Sequence, residues 1–448
     1  MVVDEKQNQA LAIIERLRAA GFTAYLAGGC VRDQILGVTP KDYDISTDAP
    51  PETVQGLFDR TVAVGARFGV IMVILGDDHH FEVATFRADA EYLDGRRPSS
   101  VRFGTIEEDV QRRDFTIGGM YFDPPTGRII DLVGGVRDLR AGIVRAIGKV
   151  DERFEEDHLR LLRAIRFAAR LGFAIEDATW TAIKRSAPAI AQTSAERVGE
   201  EMVMIMTEGG AAEGIDLLIE SGLAAVVMPE LLALSSCPQP TNFHPEGDVY
   251  RHTRLMLSML QRGCTETLAF GTLLHDIAKP RCFAVAADGK MTYYGHTDQG
   301  AEMAVEIMGR LRRSRTVQDR VAYLVRDHLR LTMAPRMRKA TLKRMITEDG
   351  FDELMQLAMI DALASSSYLG FYYLCRQELA AMGAVETRPP RLIGGNDLIA
   401  LGFRPGPAFK KILADVEDLQ LEGALATRDE AIAFVRENYL PAADAGSA

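Results

Sequence analysis

At 448 residues the chain is too long for one ordinary hydrophobic core, so roughly two to four domains are expected. A composition of 47% hydrophobic and 26% charged residues is that of a soluble globular protein, and no apolar run approaches the length that spans a bilayer. The net charge of −11 argues against a surface covered throughout with phosphate-binding residues, although it is compatible with a local basic groove.

The five cysteines are scattered along the sequence without CxxC spacing. Such usage is typical of a reducing compartment, so a cytoplasmic location is expected. The same spacing argues against a metal site built from cysteines.

Short β-rich segments alternate with turns and helical patterns over residues 22–150, which predicts an α/β or α+β region with a small mixed sheet. The segments that carry this pattern are FTAYLAGG, YDIST, GVIMVILG, HHFEVATFR, FTIGGMYFDP and GRIIDL. From about residue 151 onward, periodic apolar positions among Ala, Leu, Arg and Glu replace the strand pattern. The remainder of the chain is therefore expected to be almost entirely helical.

The segment LAGGCVRDQILGVTPKDYDIST, residues 26–47, contains the first candidate site. Asp42 and Asp44 are two residues apart, and side chains with this spacing in a strand project from the same face. Such a pair fits Mg²⁺, which binds through one or two carboxylates together with substrate phosphates. Glu82 alternates with apolar neighbours in a later predicted strand and is a candidate third carboxylate. The alternative is a turn that carries solvated acids.

The turn just upstream of these acids fits a phosphate-binding role. Gly28 and Gly29 lack Cβ atoms, so their backbone N–H groups can approach a triphosphate closely. Arg32 can add a charge-assisted contact to the same phosphates. The alternative is that the glycine pair forms only a tight corner.

The order of several motifs carries more information than any one of them. GGCVRD, KDYDIST, FEVATFR, QRRDFTIGGMYFDP and EEDHLRLLRAIRFAARLGF follow one another between residues 22 and about 205. In this order they resemble the class II CCA-adding tRNA nucleotidyltransferase and bacterial poly(A) polymerase family, within the polymerase β-like nucleotidyltransferase superfamily. The resemblance implies a polymerase β-like head in which Asp42 and Asp44 bind catalytic Mg²⁺, with Glu82 as the further candidate.

The resemblance also implies a set of nucleotide-binding residues. Two of its elements are GG-x-V-R-D and R-R-D, which fall on Gly28, Gly29 and Arg32 and on Arg112, Arg113 and Asp114. The second element is assigned to the ribose and phosphates of the incoming nucleotide. The chain departs from the family where F-T-I-N-A is usual, because Gly118 and Gly119 stand in place of Asn and Ala.

A third element, E-D-x-x-R, falls on Glu156, Asp157 and Arg160 at the start of a predicted long helical segment. Residues three and four apart share a helix face, so a surface ion pair is one interpretation. The resemblance implies instead that Asp157 and Arg160 read the Watson–Crick edge of cytosine or adenine without a nucleic-acid template. Arg163 continues the same helix and is expected to meet phosphate or carboxylate partners.

The helical half of the sequence contains a second constellation. His252, the doublet His275–Asp276, and a late Asp361 resemble the HD metal-dependent phosphohydrolase superfamily. The resemblance implies that these four residues bind a divalent ion such as Ni²⁺, Mn²⁺ or Mg²⁺. His296 and His328 are candidates for completing a second metal position.

Taken together, the motifs divide the chain into a nucleotidyltransferase head (1–150), a helical neck for base recognition (151–240), an HD-type domain (241–385) and a C-terminal helical tail that can contact tRNA (386–448). The leading hypothesis is a CCA-adding enzyme that uses CTP, ATP, Mg²⁺ and tRNA, with no membrane partner. One alternative is a poly(A) polymerase, or an enzyme that adds only part of CCA. A third hypothesis is an HD phosphohydrolase or RNA-binding module with an inactive head.

Overall fold

The computed structural model describes residues 5–65, 68–76, 79–89, 101–240, 247–365, 368–382 and 391–439. The predicted domain boundaries near residues 240 and 385 lie beside or inside the segments outside these ranges. Among the helices so described, none has the length and apolar character needed to cross a membrane.

The chain forms two compact units. The first contains Met1–Ser235 together with Leu260–Glu266 and Ile307–Ser314, and the second contains Ser236–Met259, Thr267–Glu306 and Arg315–Ala448. The first unit therefore holds the segment predicted as head and all but the last five residues of the predicted neck, and it also includes two short stretches from further along the chain.

The first unit combines a sheet with many helices. Its strands are β1 (Ala24–Ala27), β2 (Asp44–Thr47), β3 (Thr61–Gly65), β4 (Val70–Leu75), β5 (His79–Thr85), β6 (Arg87–Asp89), β7 (Val101–Phe103), β8 (Met120–Asp123), β9 (Arg128–Asp131), β10 (Ile143–Val144) and β11 (Ala174–Ile175). Its helices are α1 (Glu5–Ala19), α2 (Gly29–Ile35), α3 (Pro51–Leu57), α4 (Ile106–Gln111), α5 (Gly135–Ala141), α6 (Val150–Glu156), α7 (Leu159–Leu171), α8 (Asp177–Ser186), α9 (Ala195–Thr207), α10 (Ala211–Glu220) and α11 (Ala224–Val227).

Seven strands form one mixed sheet in the order β3-β4-β5-β2-β1-β8-β9. The β2 and β5 strands are parallel, and the other neighbours in this sheet are antiparallel. Successive side chains of β5 point to opposite faces of the sheet. Phe81 and Val83 are accordingly buried, whereas Glu82 between them is exposed. Ala27, Phe86, Val110 and Tyr121 pack together on this sheet as a buried cluster.

The second unit is built mainly from helices. These are α12 (Val249–Ser258), α13 (Glu266–Leu274), α14 (Lys279–Cys282), α15 (His296–Arg310), α16 (Arg315–Asp327), α17 (Lys339–Ile346), α18 (Phe351–Ala364), α19 (Gly370–Met382), α20 (Gly395–Ala400), α21 (Pro407–Glu422) and α22 (Arg428–Tyr439), with a small hairpin of β12 (Ala284–Val285) and β13 (Met291–Thr292). The last three helices share a buried cluster that includes Leu398, Ile412, Val416 and Val435.

The predicted α+β fold with a mixed sheet and a helical remainder is confirmed. All six β-rich segments contain strands, in β1, β2, β4, β5, β8 and β9. The expectation that strands end near residue 151 holds apart from short pairs, since β11 pairs with β10 and β12 pairs with β13. These two-residue strands are too short to show the alternation on which sequence patterns depend.

Candidate nucleotide and metal sites

A cavity of about 780 Å³ opens in the first unit. Its lining is strongly basic, because arginine and lysine side chains outnumber carboxylates by eleven to seven. The protein as a whole carries a net charge of −11. The first unit therefore concentrates positive charge at one concave surface, as the binding of a polyanion requires.

Strand register brings the predicted catalytic residues together at this cavity. Asp44 is the first residue of β2 and pairs with Ala27, the last residue of β1, so the Gly28 turn begins beside it. In the parallel pair, Ile45 lies opposite Val83, which places Glu82 next to Asp44 at the same end of the sheet. The glycine turn, Asp44 and Glu82 all line the cavity.

Asp42 reaches the same surface from just outside the strand. The sequence predicts both aspartates within one strand, but β2 begins only at Asp44. The alternation nevertheless extends upstream, since Tyr43 is 2% exposed while its two aspartate neighbours are exposed. The Nζ atom of Lys6 lies 2.7 Å from the Oδ1 atom of Asp42 and also donates to the Lys41 carbonyl, so a cation contacts this acid from α1.

The carboxylates at this end of the sheet repel one another. Removal from bulk water in the cavity, followed by repulsion from Glu82, raises the pKa of Asp44 to about 6, and Asp42 adds to the increase. Arg113 and Lys6 act in the opposite direction. Clustered carboxylates of this kind are ligands that suit a hard divalent cation, so the donor set fits a metal ion.

The turn before α2 requires glycine at its first position. Gly28 has a φ of 70°, in the left-handed region, and a Cβ there would lie 3.0 Å from the Nη1 atom of Arg113. Arg113 itself is held by several partners, because it donates to Asp109, to the Ser46 hydroxyl and to the Gly118 carbonyl. It therefore fixes the floor of the cavity between β2 and α4.

The other residues of the R-R-D element are also anchored to the protein. Arg112 donates to the Oδ1 atom of Asp109 at 2.8 Å. Asp114 accepts from the Nε atom of Arg163 at 2.7 Å. Burial alone would raise the pKa of Asp114, but the Arg163 guanidinium, together with Arg160 and the Phe115 N–H group, outweighs burial and lowers it. Arg112, Asp114 and Arg163 all line the cavity.

The prediction that Glu156, Asp157 and Arg160 share one helix is wrong. Glu156 ends α6, Asp157 has an extended backbone with φ −154° and ψ 103°, and α7 begins at Leu159. Arg160 still pairs with Glu156 at 2.6 Å, and it also donates to the Arg112 carbonyl. The helix breaks at Asp157, and this break directs its carboxylate away from the Glu156–Arg160 pair.

Asp157 is held by a residue from α9. Its two carboxylate oxygens accept from the Nη1 and Nη2 atoms of Arg197 at 3.0 and 2.7 Å. Asp157, Arg160 and Arg197 all line the cavity, although the ion pairs formed are not the Asp157–Arg160 pair that the sequence suggests. The spacing rule misses Arg197, since the partner lies 40 residues away in the sequence.

The second unit has a separate cavity of about 420 Å³ that contains histidine and aspartate side chains. Asp276, His296, His328 and Asp361 line this cavity. His252 and His275 lie beside them, because the two rings are 5.4 Å apart and the Nε2 atom of His252 is 3.1 Å from the Oδ1 atom of Asp361. The structure therefore brings the predicted HD residues together.

Three of the histidines share one orientation. The Nδ1 atoms of His275, His296 and His328 lie 2.9, 2.8 and 2.7 Å from the backbone carbonyls of Thr272, Tyr293 and Val325. A carbonyl can only accept, so each Nδ1 carries a proton, and in the neutral ring Nε2 is then the nitrogen that presents a lone pair. This arrangement is typical of histidines that bind a metal through Nε2.

Polar atoms at this cluster are buried without a hydrogen bond. Among the described residues, these are the Nε2 atom of His296 and the Oδ1 atom of Asp276, while the Nε2 atom of His275 lies 3.0 Å from the Oδ2 atom of Asp276. Two groups have ligand atoms close enough to share one ion, namely His252, His275 and Asp276, and Asp276, His296 and His328. The unsatisfied atoms and the donor set fit divalent metal binding around Asp276.

The electrostatics of the cluster favour neutral imidazoles at His296 and His328, whereas at His275 the charge and hydrogen bond of Asp276, together with Asp361, outweigh burial and raise the pKa. Burial, followed by the charge of His275, lowers the pKa of His328 to about 4, and burial also lowers the pKa of His296. Burial opposes ionisation of Asp361, but the hydrogen bond from His252 and the charges of the surrounding histidines together outweigh it and lower the pKa to about 2. Neutral imidazoles at His296 and His328 and a charged Asp361 are the protonation states that metal ligation needs.

Lys279 is a member of this site that sequence analysis did not single out. Its Nζ atom lies 2.6 Å from the Oδ2 atom of Asp276, and the residue is 8% exposed. The spacing of three residues from Asp276 on a helical segment could have indicated this contact. Lys279 places a positive charge at the wall of the cavity.

Comparisons with known proteins agree with this architecture. The Poly A polymerase head domain family matches residues 24–145, a family described as a probable RNA and SrmB-binding site of polymerase A matches residues 172–234, and the HD domain family matches residues 249–364. The first two regions lie in the first unit, and the third is mainly in the second unit. The fold and the matches define the class as a nucleotidyltransferase with an appended HD domain.

Individual relatives narrow this class. A CCA-adding enzyme of Geobacillus kaustophilus is 43% identical over 227 residues, but the match spans only 55% of that enzyme's length. A CCA-adding enzyme of Streptococcus sanguinis is 31% identical over 96% of this chain and 97% of its own. The crystal structure of a Bacillus stearothermophilus CCA-adding enzyme in complex with CTP has a TM-score of 0.73 and 26% identity, with coverage of 97% and 98%. The chain belongs to the CCA-adding enzyme family.

Proposed function

We propose that this protein adds C and A nucleotides to the 3′ end of tRNA from CTP and ATP, without a nucleic-acid template. The observation that carries the proposal is the convergence of Asp44 and Glu82 beside the Gly28 turn in a basic cavity. A triphosphate needs both features, because its charge requires cations and its close approach requires backbone without Cβ atoms. Full-length similarity to a CCA-adding enzyme supports the same activity.

Asp42, Asp44 and Glu82 are the residues that would hold Mg²⁺, which when bound helps to activate the attacking hydroxyl and neutralises pyrophosphate. The tRNA 3′-hydroxyl attacks the α-phosphate of the nucleotide, a new phosphodiester bond forms, and pyrophosphate leaves. Arg32 and the arginines of the cavity wall hold the triphosphate in line with the hydroxyl. Most of the rate enhancement is positioning and electrostatic stabilisation.

Base selection is assigned to Asp157 and Arg160. The Asp157 carboxylate accepts hydrogen bonds and the Arg160 guanidinium donates them, which suits the amine and the ring acceptors of cytosine or adenine. Arg197 holds the carboxylate in place through two hydrogen bonds, and Glu156 does the same for Arg160. The selecting groups are thereby kept from adapting to guanine or uracil.

An incorporation assay tests this proposal. Purified protein is incubated with tRNA lacking its CCA end and with CTP alone, ATP alone or both. Addition of two C residues with CTP alone, and of one terminal A when ATP is also present, is the expected result. Long tails from ATP alone would instead identify a poly(A) polymerase, and addition of only A or only C residues would identify a partial enzyme. Asp44→Ala is the inactive control.

The second unit favours a second candidate function, a metal-dependent phosphohydrolase. The observation in its favour is the set of unsatisfied Nε2 and Oδ1 atoms around Asp276 at a cavity. His252, His275, Asp276 and Asp361 would hold a first ion of Ni²⁺, Mn²⁺ or Mg²⁺, with His296 and His328 at a second position, and the ion would supply a hydroxide nucleophile. The notion that the head is inactive loses support, because its carboxylates, glycine turn and R-R-D residues are brought together.

Hydrolysis is tested with bis-p-nitrophenyl phosphate and p-nitrophenyl phosphate after loading with Ni²⁺, Mn²⁺ or Mg²⁺. The expected result is metal-dependent release of nitrophenol that His275→Ala abolishes. Equal release by wild type and variant would reject the assignment.

Two further assignments belong to this proposal. The division into head, neck and HD domain, with boundaries at residues 150 and 240, is supported by the matched regions at 24–145, 172–234 and 249–364, while the boundary at 385 and the tail stay predictions. A cytoplasmic location is supported by the five cysteines, all of which are free thiols.

A further inference from the structure

Gln239 occupies an unusual position beside the HD cluster. It lines the same cavity as Asp276 and Asp361, yet only 2% of the residue is exposed. Its Nε2 atom is buried and has no hydrogen-bond partner among the described residues. Gln239 lies ten residues before the segment that matches the HD domain family, which begins at residue 249. The resemblance on which the other site residues rest therefore does not cover it.

The orientation of this amide is determined by its neighbour. The Nζ atom of Lys279 lies 2.7 Å from the Oε1 atom of Gln239 and 2.6 Å from the Oδ2 atom of Asp276. An ammonium group can only donate, so the atom that faces Lys279 is the amide oxygen. The NH₂ group is then left as a donor without an acceptor, which is costly for a buried group.

The backbone around Gln239 is also fixed. Its N–H donates to the Gly247 carbonyl at 2.9 Å, and Pro238 forms a β-bridge with Asp248, the residue that caps α12. The Tyr293 hydroxyl donates to the Pro238 carbonyl, and the Lys279 ammonium lies 5.4 Å from the centre of the Tyr293 ring. The amide is therefore held in place by its surroundings and cannot readily turn away from the cavity.

We propose that Gln239 binds a non-bridging oxygen of the phosphoryl group that occupies the HD cavity, with its Nε2 as donor and Lys279 as the adjacent cation. Phosphoryl oxygens fit, because they accept several hydrogen bonds and carry the negative charge that Lys279 and a divalent ion attract. The inference rests on the proposed phosphohydrolase function and names a further substrate-positioning residue for it. Gln239 takes no part in proton transfer or in bond making and breaking.

Calorimetric titration of inorganic phosphate into the full-length, Mn²⁺-loaded protein tests the proposal without relying on catalysis. Gln239→Glu retains an oxygen toward Lys279 but replaces the donor with a second oxygen, and Gln239→Leu removes both groups. Each should raise the Kd for phosphate at least tenfold, since hydrogen bonds to charged groups are among the stronger ones. Gln356→Glu, at an exposed position of α18 outside the cavity lining, is the charge-matched control and should leave the Kd unchanged.

Thermal unfolding of the same variants separates binding from folding. Gln239→Glu should keep the Tm of the wild type, since its carboxylate can still accept from Lys279. In the nitrophenyl phosphate assay it should raise KM more than it lowers kcat. A phosphate Kd within twofold of the wild type in Gln239→Glu overturns the proposal, as does a wild-type protein that binds no phosphate. The two proposals can also fail separately. If the variants lose phosphate binding but the wild-type protein hydrolyses no phosphoester, the phosphate-binding role of Gln239 is supported and the hydrolase function is rejected.

Discussion

Asp44 is a residue whose proposed role in metal binding opposes the stability of the metal-free protein. Its carboxylate has a pKa of about 6 in the folded protein and an ordinary value of 3.8. The folded state therefore holds the proton more tightly than the unfolded state, so this residue favours folding at low pH and loses that contribution as pH rises through about 6. At neutral pH without metal, the charged carboxylate opposes folding.

Asp44→Asn should consequently stabilise the metal-free protein at pH 7.5 while reducing nucleotide addition by roughly a hundredfold or more. The increase in Tm is expected to be about 1 °C or larger, and it should disappear below about pH 4. Differential scanning calorimetry at the two pH values measures it. Asp42→Asn is the matched comparison and should give no such increase, because Asp42 is paired with Lys6. A lower Tm for Asp44→Asn at pH 7.5 would contradict the electrostatic account.

The Gly118–Gly119 pair, where the family usually has Asn and Ala, yields a second prediction for single residues. A Cβ at Gly118 would have the Oδ1 atom of Asp114 as its nearest neighbour, at an ordinary 3.6 Å. A Cβ at Gly119 would lie 2.8 Å from Val133 and 2.9 Å from Ile147. The surroundings therefore have room for a side chain at the first position and not at the second.

Gly118→Ala should change the free energy of unfolding by less than about 0.5 kcal/mol, whereas Gly119→Ala should lower it by roughly 1–3 kcal/mol through overpacking. Urea denaturation followed by circular dichroism gives both values. Equal effects at the two positions would show that the crowding at Gly119 relaxes at little cost.

At the scale of secondary-structure elements, α7 and α9 are joined by a buried ion pair. The Nε atom of Arg166 lies 2.5 Å from the Oε1 atom of Glu201, and the two residues are 7% and 1% exposed. Burial raises the pKa of Glu201 despite the opposing charge of Arg166. Because these helices also carry Arg160, Arg163 and Arg197, the pair fixes the cavity wall that holds Arg160, which is proposed to select the base.

Arg166→Met should destabilise the first unit by roughly 3–5 kcal/mol, since it leaves the Glu201 carboxylate buried and unpaired. The double variant Arg166→Met/Glu201→Gln should recover part of this loss, because the uncompensated charge is gone. A double-mutant cycle measures the coupling. It compares the denaturant midpoint of the first unit's transition in Arg166→Met, in Glu201→Gln and in the double variant. If the losses of unfolding free energy in the two single variants simply add in the double variant, Arg166 and Glu201 do not stabilise each other.

At the scale of the whole molecule, the two proposed activities belong to different units with different ligand sets. Asp276→Asn should abolish metal-dependent hydrolysis and leave CCA addition within about twofold of wild type, because Asp276 lies in the second unit's cluster. Asp44→Asn should have the reverse effect. Parallel assays of both reactions on both variants test this. Loss of nucleotide addition in Asp276→Asn, with folding intact, would show that the units are coupled.

The sequence by itself determined the α+β fold, six of the seven strands of the main sheet and the residue types of both candidate sites. Strand alternation and motif order are local properties, so they can be read along the chain for Asp42, Asp44 and Glu82. Only the tertiary structure decided which side chains contact one another in these sites, because such contacts depend on strand register and on residues far apart in sequence. The backbone break at Asp157, its pairing with Arg197, the approach of Lys6 to Asp42 and the position of Gln239 beside Lys279 all arise from such contacts.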